Sequence, residues 1–186
     1  MVIKHIAIVG MGALGVMYGE HLARTLQGGQ VKFVGNQARV TRYEVEGVYL
    51  QRDGGEWIQV DCPMVSDEGE IPADLLIVAV KSTGLDAALH TMRHKIAEHT
   101  IILSVMNGIT SEQAIGEVYG HEKLVHCVVQ GMDVIKDGNR VRYTQFGELV
   151  IGVDERSPEK LARLAAVQHL FEQTGTPHRV EEDIVR

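Results

Sequence analysis

The chain has 186 residues, enough for one full-sized domain and marginal for two. Its 45% hydrophobic and 23% charged content is that of a globular protein and excludes a disordered or fibrous chain. Eighteen Lys and Arg against 25 Asp and Glu leave a net charge of −7 with no basic cluster, and nine aromatic residues (five Tyr, three Phe, one Trp) make no base-stacking platform, so nucleic acid is not an expected partner.

In chain order, residues 3–9 form an apolar run that ends in glycines, the pattern of a strand buried on both faces of a parallel sheet. Residues 13–26 follow as an amphipathic helix, ended by Gly28 and Gly29. A second strand spans 31–34, and a short helix over 39–46 stops at Gly47. Two strands, near 48–51 and 57–60, flank Asp53-Gly54-Gly55, a hairpin signal. Fully apolar strands recur at 75–80 and 101–105, with a helix over 85–98 between them. A helix near 111–118 leads into another such strand at 123–129. The alternation then changes: 134–143 carries the turn Lys136-Asp137-Gly138-Asn139, and 148–152 is a further strand, so a β-hairpin or meander is expected. Ser157-Pro158 starts a helix that runs to Thr174 and stops at Gly175, a strand or extended link follows at 178–180, and Glu181-Glu182-Asp183 read as the acidic first turn of another helix.

Strand and helix alternating at this spacing make an α/β protein with a doubly wound parallel sheet, the first strand central and the strands at 75 and 101 to one side of it. No apolar run reaches the ~18 residues of a membrane span, and the N-terminus lacks the charged n-region of a signal peptide. Cys62 and Cys127 form no CxxC pair, so the expected compartment is a reducing cytoplasm, with no membrane partner.

Gly10, Met11, Gly12, Ala13, Leu14 and Gly15 fit GxGxxG directly after a buried strand and at the opening of a helix, the context that makes this pattern a dinucleotide site. Gly10 permits the tight turn, Gly12 lets the backbone approach a pyrophosphate, and Gly15 lets the helix pack close to the strand. An NAD site places a carboxylate at the end of the second strand. Here Asn36 stands in that region, with no acid before Glu44. Asn36 can donate to a 2′-phosphate, and Arg39 or Arg42 can pair with one, so NADP is the expected cofactor. Either arginine is equally well read as part of a solvated helix face. Lys81 follows the strand at 75–80, and Asn107-Gly108 follows the strand at 101–105. Both positions lie beyond strand carboxyl ends, where ligands bind. A loop lysine and an Asn-Gly turn are the plainer alternatives.

Taken together, GMGALG, VAVKS at 78–82, MNGI at 106–109 and the KDGNRV…GELVIG stretch at 136–152 resemble ketopantoate reductase (2-dehydropantoate 2-reductase) along the whole chain. The resemblance implies a Rossmann-type domain that binds NADPH for the reduction of a small 2-oxo acid, 2-dehydropantoate, to pantoate on the route to coenzyme A. By it, Gly10 to Gly15 hold the pyrophosphate, Lys81 and Asn107 the nicotinamide ribose and substrate region, and Val134 offers its backbone to the nicotinamide. Asn36 departs from the family's usual arginine. Residues 1–180 are then the dinucleotide-binding domain and 181–186 the truncated start of a helical substrate domain. The general-acid lysine is expected beyond Arg186, leaving no catalytic residue in the chain and little turnover. A different Rossmann dehydrogenase and a nucleotide-sensing module are the rival readings, and association into a homo-oligomer is left open.

Elsewhere, His90 and His94 have one-face metal spacing, but no third ligand can be placed, so surface histidines are expected and no metal. Cys127 reads as core, Cys62 as unactivated, and Glu20 with His21 as a solvated face of the first helix.

Overall fold

A computed structural model describes residues 1–26, 30–67, 71–106 and 110–184. The expected helix stop at Gly28 and Gly29 lies outside them. Strand β1 (Ile6–Val9) begins later than the apolar run because the Lys4 and His5 amides donate to the Asp74 carboxylate, at 2.7 and 2.9 Å, instead of joining a ladder. Helix α1 (Ala13–Thr25) and strand β2 (Val31–Gly35) follow. Helix α2 (Gln37–Glu46) starts two residues before its expected position, because Asn36 caps it by accepting the Arg39 amide at 3.0 Å.

The hairpin of β3 (Tyr49–Arg52) and β4 (Trp57–Gln59) forms as expected, with Asp53 and Gly54 both at positive φ, 47° and 67°, as a tight antiparallel turn requires. Strand β5 (Met64–Ser66), too short to show a period, was not anticipated and pairs parallel with β2. Then come β6 (Leu75–Val78), α3 (Leu85–Met92), β7 (Ile101–Ser104), α4 (Thr110–Tyr119) and β8 (Leu124–Gln130). Helix α3 ends six residues early in a 3-10 turn, Arg93–Lys95. The hairpin β9 (Ile135–Asp137) and β10 (Arg140–Tyr143), strand β11 (Glu148–Gly152), helix α5 (Pro158–Thr174) and strand β12 (His178–Val180) complete the chain. Residues 182–184 form a turn rather than the expected helical first turn; the Glu181 amide is drawn to the Ile151 carbonyl at 2.9 Å, which continues the sheet edge.

Among the described residues, the main sheet has 8 strands in the order β12-β11-β8-β7-β6-β1-β2-β5. From β5 to β8 it is parallel, with β1 central as expected, and β11 then joins β8 antiparallel. Helices α1 and α5 cover one face and α3 and α4 the other, each over its own apolar cluster. The two hairpins do not form a meander with β11. They associate with each other, β10 running parallel to β3, into a separate 4-stranded sheet in the order β4-β3-β10-β9.

That second sheet packs on the outer side of α1, where Val16 meets Val48, Leu50 and Val141. Helix α1 is thus buried on both sides, which corrects the reading of Glu20 and His21 as a solvated face. Glu20 lies one turn beyond Val16, beneath β3, accepts a hydrogen bond from Arg52 at 3.1 Å and forms an ion pair with Arg24 at 3.2 Å. The His21 ring packs against Phe146, tilted by 50° with centroids 4.8 Å apart, and meets the Thr176 hydroxyl at 3.1 Å.

Burial, reinforced by the Arg24 guanidinium, lowers the His21 pKa to about 4. An unfolded histidine takes up its proton near pH 6.5. Between those values the unfolded chain binds more protons, so the neutral ring's contribution is whole above about pH 6.5 and is lost as the pH falls toward 4. For a partly exposed, solvent-screened ring this is about 1 kcal/mol. Urea unfolding of the unsubstituted chain and of His21→Gln at pH 7.5 and 4.5 checks it: the variant should lose about 1 kcal/mol less stability over that interval, and equal losses would remove His21 from the account.

Candidate functional site

Strand order reverses at β1, whose neighbours β2 and β6 carry the chain off in opposite directions, and the crevice beyond their carboxyl ends is where such a sheet takes ligands. The glycine loop occupies this point. Gly10 has φ 109°, and a Cβ there would stand 2.5 Å from the Ala79 carbonyl oxygen. A Cβ at Gly15 would overlap the Gly10 carbonyl oxygen. These two glycines let β1, β6 and α1 meet at backbone contact. Gly12 differs: its φ is −71°, and the single atom near its added Cβ is the Ala79 oxygen at 3.3 Å. Among the described residues nothing else comes within 4 Å of that Cβ.

Gly12 is also the N-cap of α1, so no side chain caps that helix and no acid lies in its first turn. The amides of the first turn, with the positive end of the helix dipole behind them, remain free to donate. A backbone cradle without side chains at a helix N-terminus fits a pyrophosphate.

At the end of β2, the Asn36 Oδ1 is used in capping α2, which leaves its amide nitrogen as a donor. The Arg39 side chain is exposed and crosses Gly35, where an added Cβ would lie 3.5 Å from the Arg39 Cβ. Arg42 is otherwise engaged: its Nε donates to Glu46 at 3.0 Å, which holds its pKa up, and its guanidinium lies 5.1 Å from the Tyr43 ring centre. Of the two arginines that the sequence leaves equivalent, Arg39 is the one without a carboxylate partner among the described residues. Neither β2 nor the cap Asn36 carries a carboxylate there, but Asp67, just past β5, adjoins the tip through its amide, which donates to the Gly35 carbonyl oxygen at 3.0 Å.

Lys81 lies just past β6, exposed, its carbonyl accepting the Gly84 amide at 2.8 Å while its ammonium points to no partner among the described residues. The Asn107 expectation falls outside the described residues; the preceding Met106 is buried. Val134 packs with Met11 between α1 and the second sheet.

A residue missed from the sequence completes the arrangement. Lys136, on the same side of its strand as Val134, donates to the Met11 carbonyl oxygen at 2.8 Å and to the Tyr43 hydroxyl at 3.4 Å. Its only sequence signal was that two-residue spacing. A cavity of about 280 Å³ beside Met11 and Tyr43, lined also by Gln59, Cys62 and Met64, offers no cation for a phosphate.

Several other titratable groups have structural tasks. Arg93 hydrogen bonds to both His90 and His94. Burial pushes the Cys62 thiol up to about 12 and raises that of Cys127, so neither is a nucleophile. Glu112 accepts from the Cys127 amide and pairs with His126, tying α4 to β8. Among the described residues no group of three or more His, Cys, Asp or Glu is placed to hold a metal, and no helix is long and apolar enough to cross a membrane.

A family model described as ketopantoate reductase PanE/ApbA matches residues 6–156. A 2-dehydropantoate 2-reductase of Aquifex aeolicus is 30% identical over 194 aligned positions, covering 100% of this chain and 58% of the relative. The crystal structure of a PanE/ApbA family ketopantoate reductase from Ralstonia eutropha is 27% identical with a TM-score of 0.76, covering 97% of this chain and 57% of that one. D-mandelate dehydrogenase, solved with NADH and anilino(oxo)acetate, shares the fold at a TM-score of 0.83 and 22% identity, over 97% of this chain and 58% of its own. The chain therefore spans a little over half the length of the relatives it matches.

Proposed function

The chain belongs to the ketopantoate reductase family, and from that premise we propose that it is the NADPH-binding part of an enzyme that reduces 2-dehydropantoate to pantoate. The observation that carries the proposal is the uncapped N-terminus of α1 behind an open Gly12, set between two glycines that admit no side chain. When bound, the reduced nicotinamide supplies a hydride to the C2 carbonyl of the 2-oxo acid. The chain's residues bind and orient: the amides from Gly10 to Gly15 take the pyrophosphate, and Asn36 with Arg39 takes the 2′-phosphate. Lys81 and Asn107 hold the nicotinamide ribose, Asn107 also facing substrate, and the Val134 backbone flanks the nicotinamide. Hydride addition leaves an alkoxide that requires a proton. In this proposal the donor is a lysine of a helical domain following residue 180, in keeping with a chain that spans 58% of its Aquifex relative. The chain acts in the cytoplasm on a small-molecule substrate.

Calorimetric titration tests the cofactor assignment. NADPH should bind more tightly than NADH, and Arg39→Ala should lower NADPH affinity roughly tenfold, about 1.4 kcal/mol, with NADH unchanged. Tighter binding of NADH would move the chain to an NAD-dependent branch, and binding of neither would remove the dinucleotide reading.

A further inference from the structure

We infer that Lys136 is a positioning residue for cofactor binding, an ammonium on the second sheet that holds the glycine loop and strengthens its phosphate-facing amide. The inference rests on the dinucleotide reading above. The ammonium lies 2.8 Å from the Met11 carbonyl oxygen, 3.4 Å from the Tyr43 hydroxyl and 5.4 Å from the centre of the Tyr43 ring. It thus joins β9, the loop and α2, three elements far apart in sequence, and its half-buried stem keeps it there.

The Met11 carbonyl belongs to the same planar trans peptide as the Gly12 amide, so the two point in opposite directions. A cation on the oxygen draws electron density from the peptide and makes the Gly12 N–H a stronger donor on the other side. Among the described residues that N–H has no hydrogen-bond acceptor. A neutral side chain at 136 would release the Met11 carbonyl and remove this polarisation.

Titration of the unsubstituted chain, Lys136→Met and Lys136→Arg with NADPH and with adenosine 2′-phosphate tests the inference. The second probe carries the adenine and the 2′-phosphate but no pyrophosphate. Lys136→Met should weaken NADPH roughly fivefold, as a charge-assisted hydrogen bond becomes none, with adenosine 2′-phosphate unchanged and Lys136→Arg near the unsubstituted value. Unchanged NADPH affinity, or an equal loss for both ligands, overturns the inference, the second pattern marking a direct or general structural role. Failure of the unsubstituted chain to bind NADPH overturns the dinucleotide reading instead. The ¹⁵N–¹H resonance of Gly12 decides about Lys136 in that case: a shift of it in the ligand-free Lys136→Met chain supports the hold on the loop, and an unmoved resonance overturns it.

Discussion

Gly12→Ala should fold as the unsubstituted chain does and bind NADPH roughly thirtyfold more weakly, about 2 kcal/mol, the value of one hydrogen bond to a charged group. The position separates folding from binding because of where its neighbours lie. An added methyl would touch one backbone oxygen, that of Ala79, at 3.3 Å, a contact relieved by a few tenths of an ångström. The Gly12 backbone has φ −71° and ψ −174°, which alanine adopts freely. On the other side, the methyl stands where a pyrophosphate must approach the backbone. Urea unfolding should show a change within about 0.5 kcal/mol, and calorimetry should show the loss of affinity. Undiminished binding would place the phosphates elsewhere.

Gly15→Ala should behave in the opposite way and lose stability first. Its methyl would overlap the Gly10 carbonyl oxygen and stand 3.2 Å from the Ala79 Cβ. The obstructing atom is backbone in a turn fixed by Gly10 at φ 109°, so it cannot rotate aside, and α1 must lift from β1. Overpacking of this kind costs up to about 3 kcal/mol. Alanine's better helix propensity returns about 1 kcal/mol. The net is about 2 kcal/mol, which for a chain of this size lowers Tm by roughly 4–8 °C. Thermal unfolding followed by circular dichroism measures it, and an unchanged or raised Tm would show that the helix and strand are not held together at that glycine. NADPH affinity should fall as well, because the displaced helix carries the first-turn amides with it.

These two glycines also show how much of the candidate site was readable in advance. Their roles follow from one local fact, a buried strand running through Gly10 into a helix, and the structure returns that local geometry. The same holds for the capping of α5 by Ser157 and Gly175, where the Lys160 amide donates to the serine hydroxyl and Gly175 takes φ 65°. Arg39 and Arg42 were not separable by this route. They sit three residues apart on one exposed helix, and what distinguishes them is the Glu46 carboxylate one turn beyond Arg42 together with the Gly35 backbone beneath Arg39. The error over Glu20 and His21 has a related origin. Helical spacing shows that a face is polar, not whether a second sheet covers it, and residues from 49 to 143 had to come together for that sheet to exist.

By itself, the sequence determined the alternation of strands and helices, the central place of β1, the position of the glycine loop and of Lys81 past β6, and through these the fold class. Each rests on a period of two or 3.6 residues, or on glycine's freedom at a turn, all of which act within about a dozen residues. Only the tertiary structure decided that the two hairpins join over α1, that Glu20 is thereby buried and His21 half-buried against Phe146, and that Lys136 reaches the Met11 carbonyl 125 residues away. Those outcomes depend on parallel pairing between distant strands and on a hydrogen bond between groups that are neighbours only in the folded chain. No local propensity encodes either, because the free energy that selects them is gained only when the apolar faces of α1 and the second sheet leave water together.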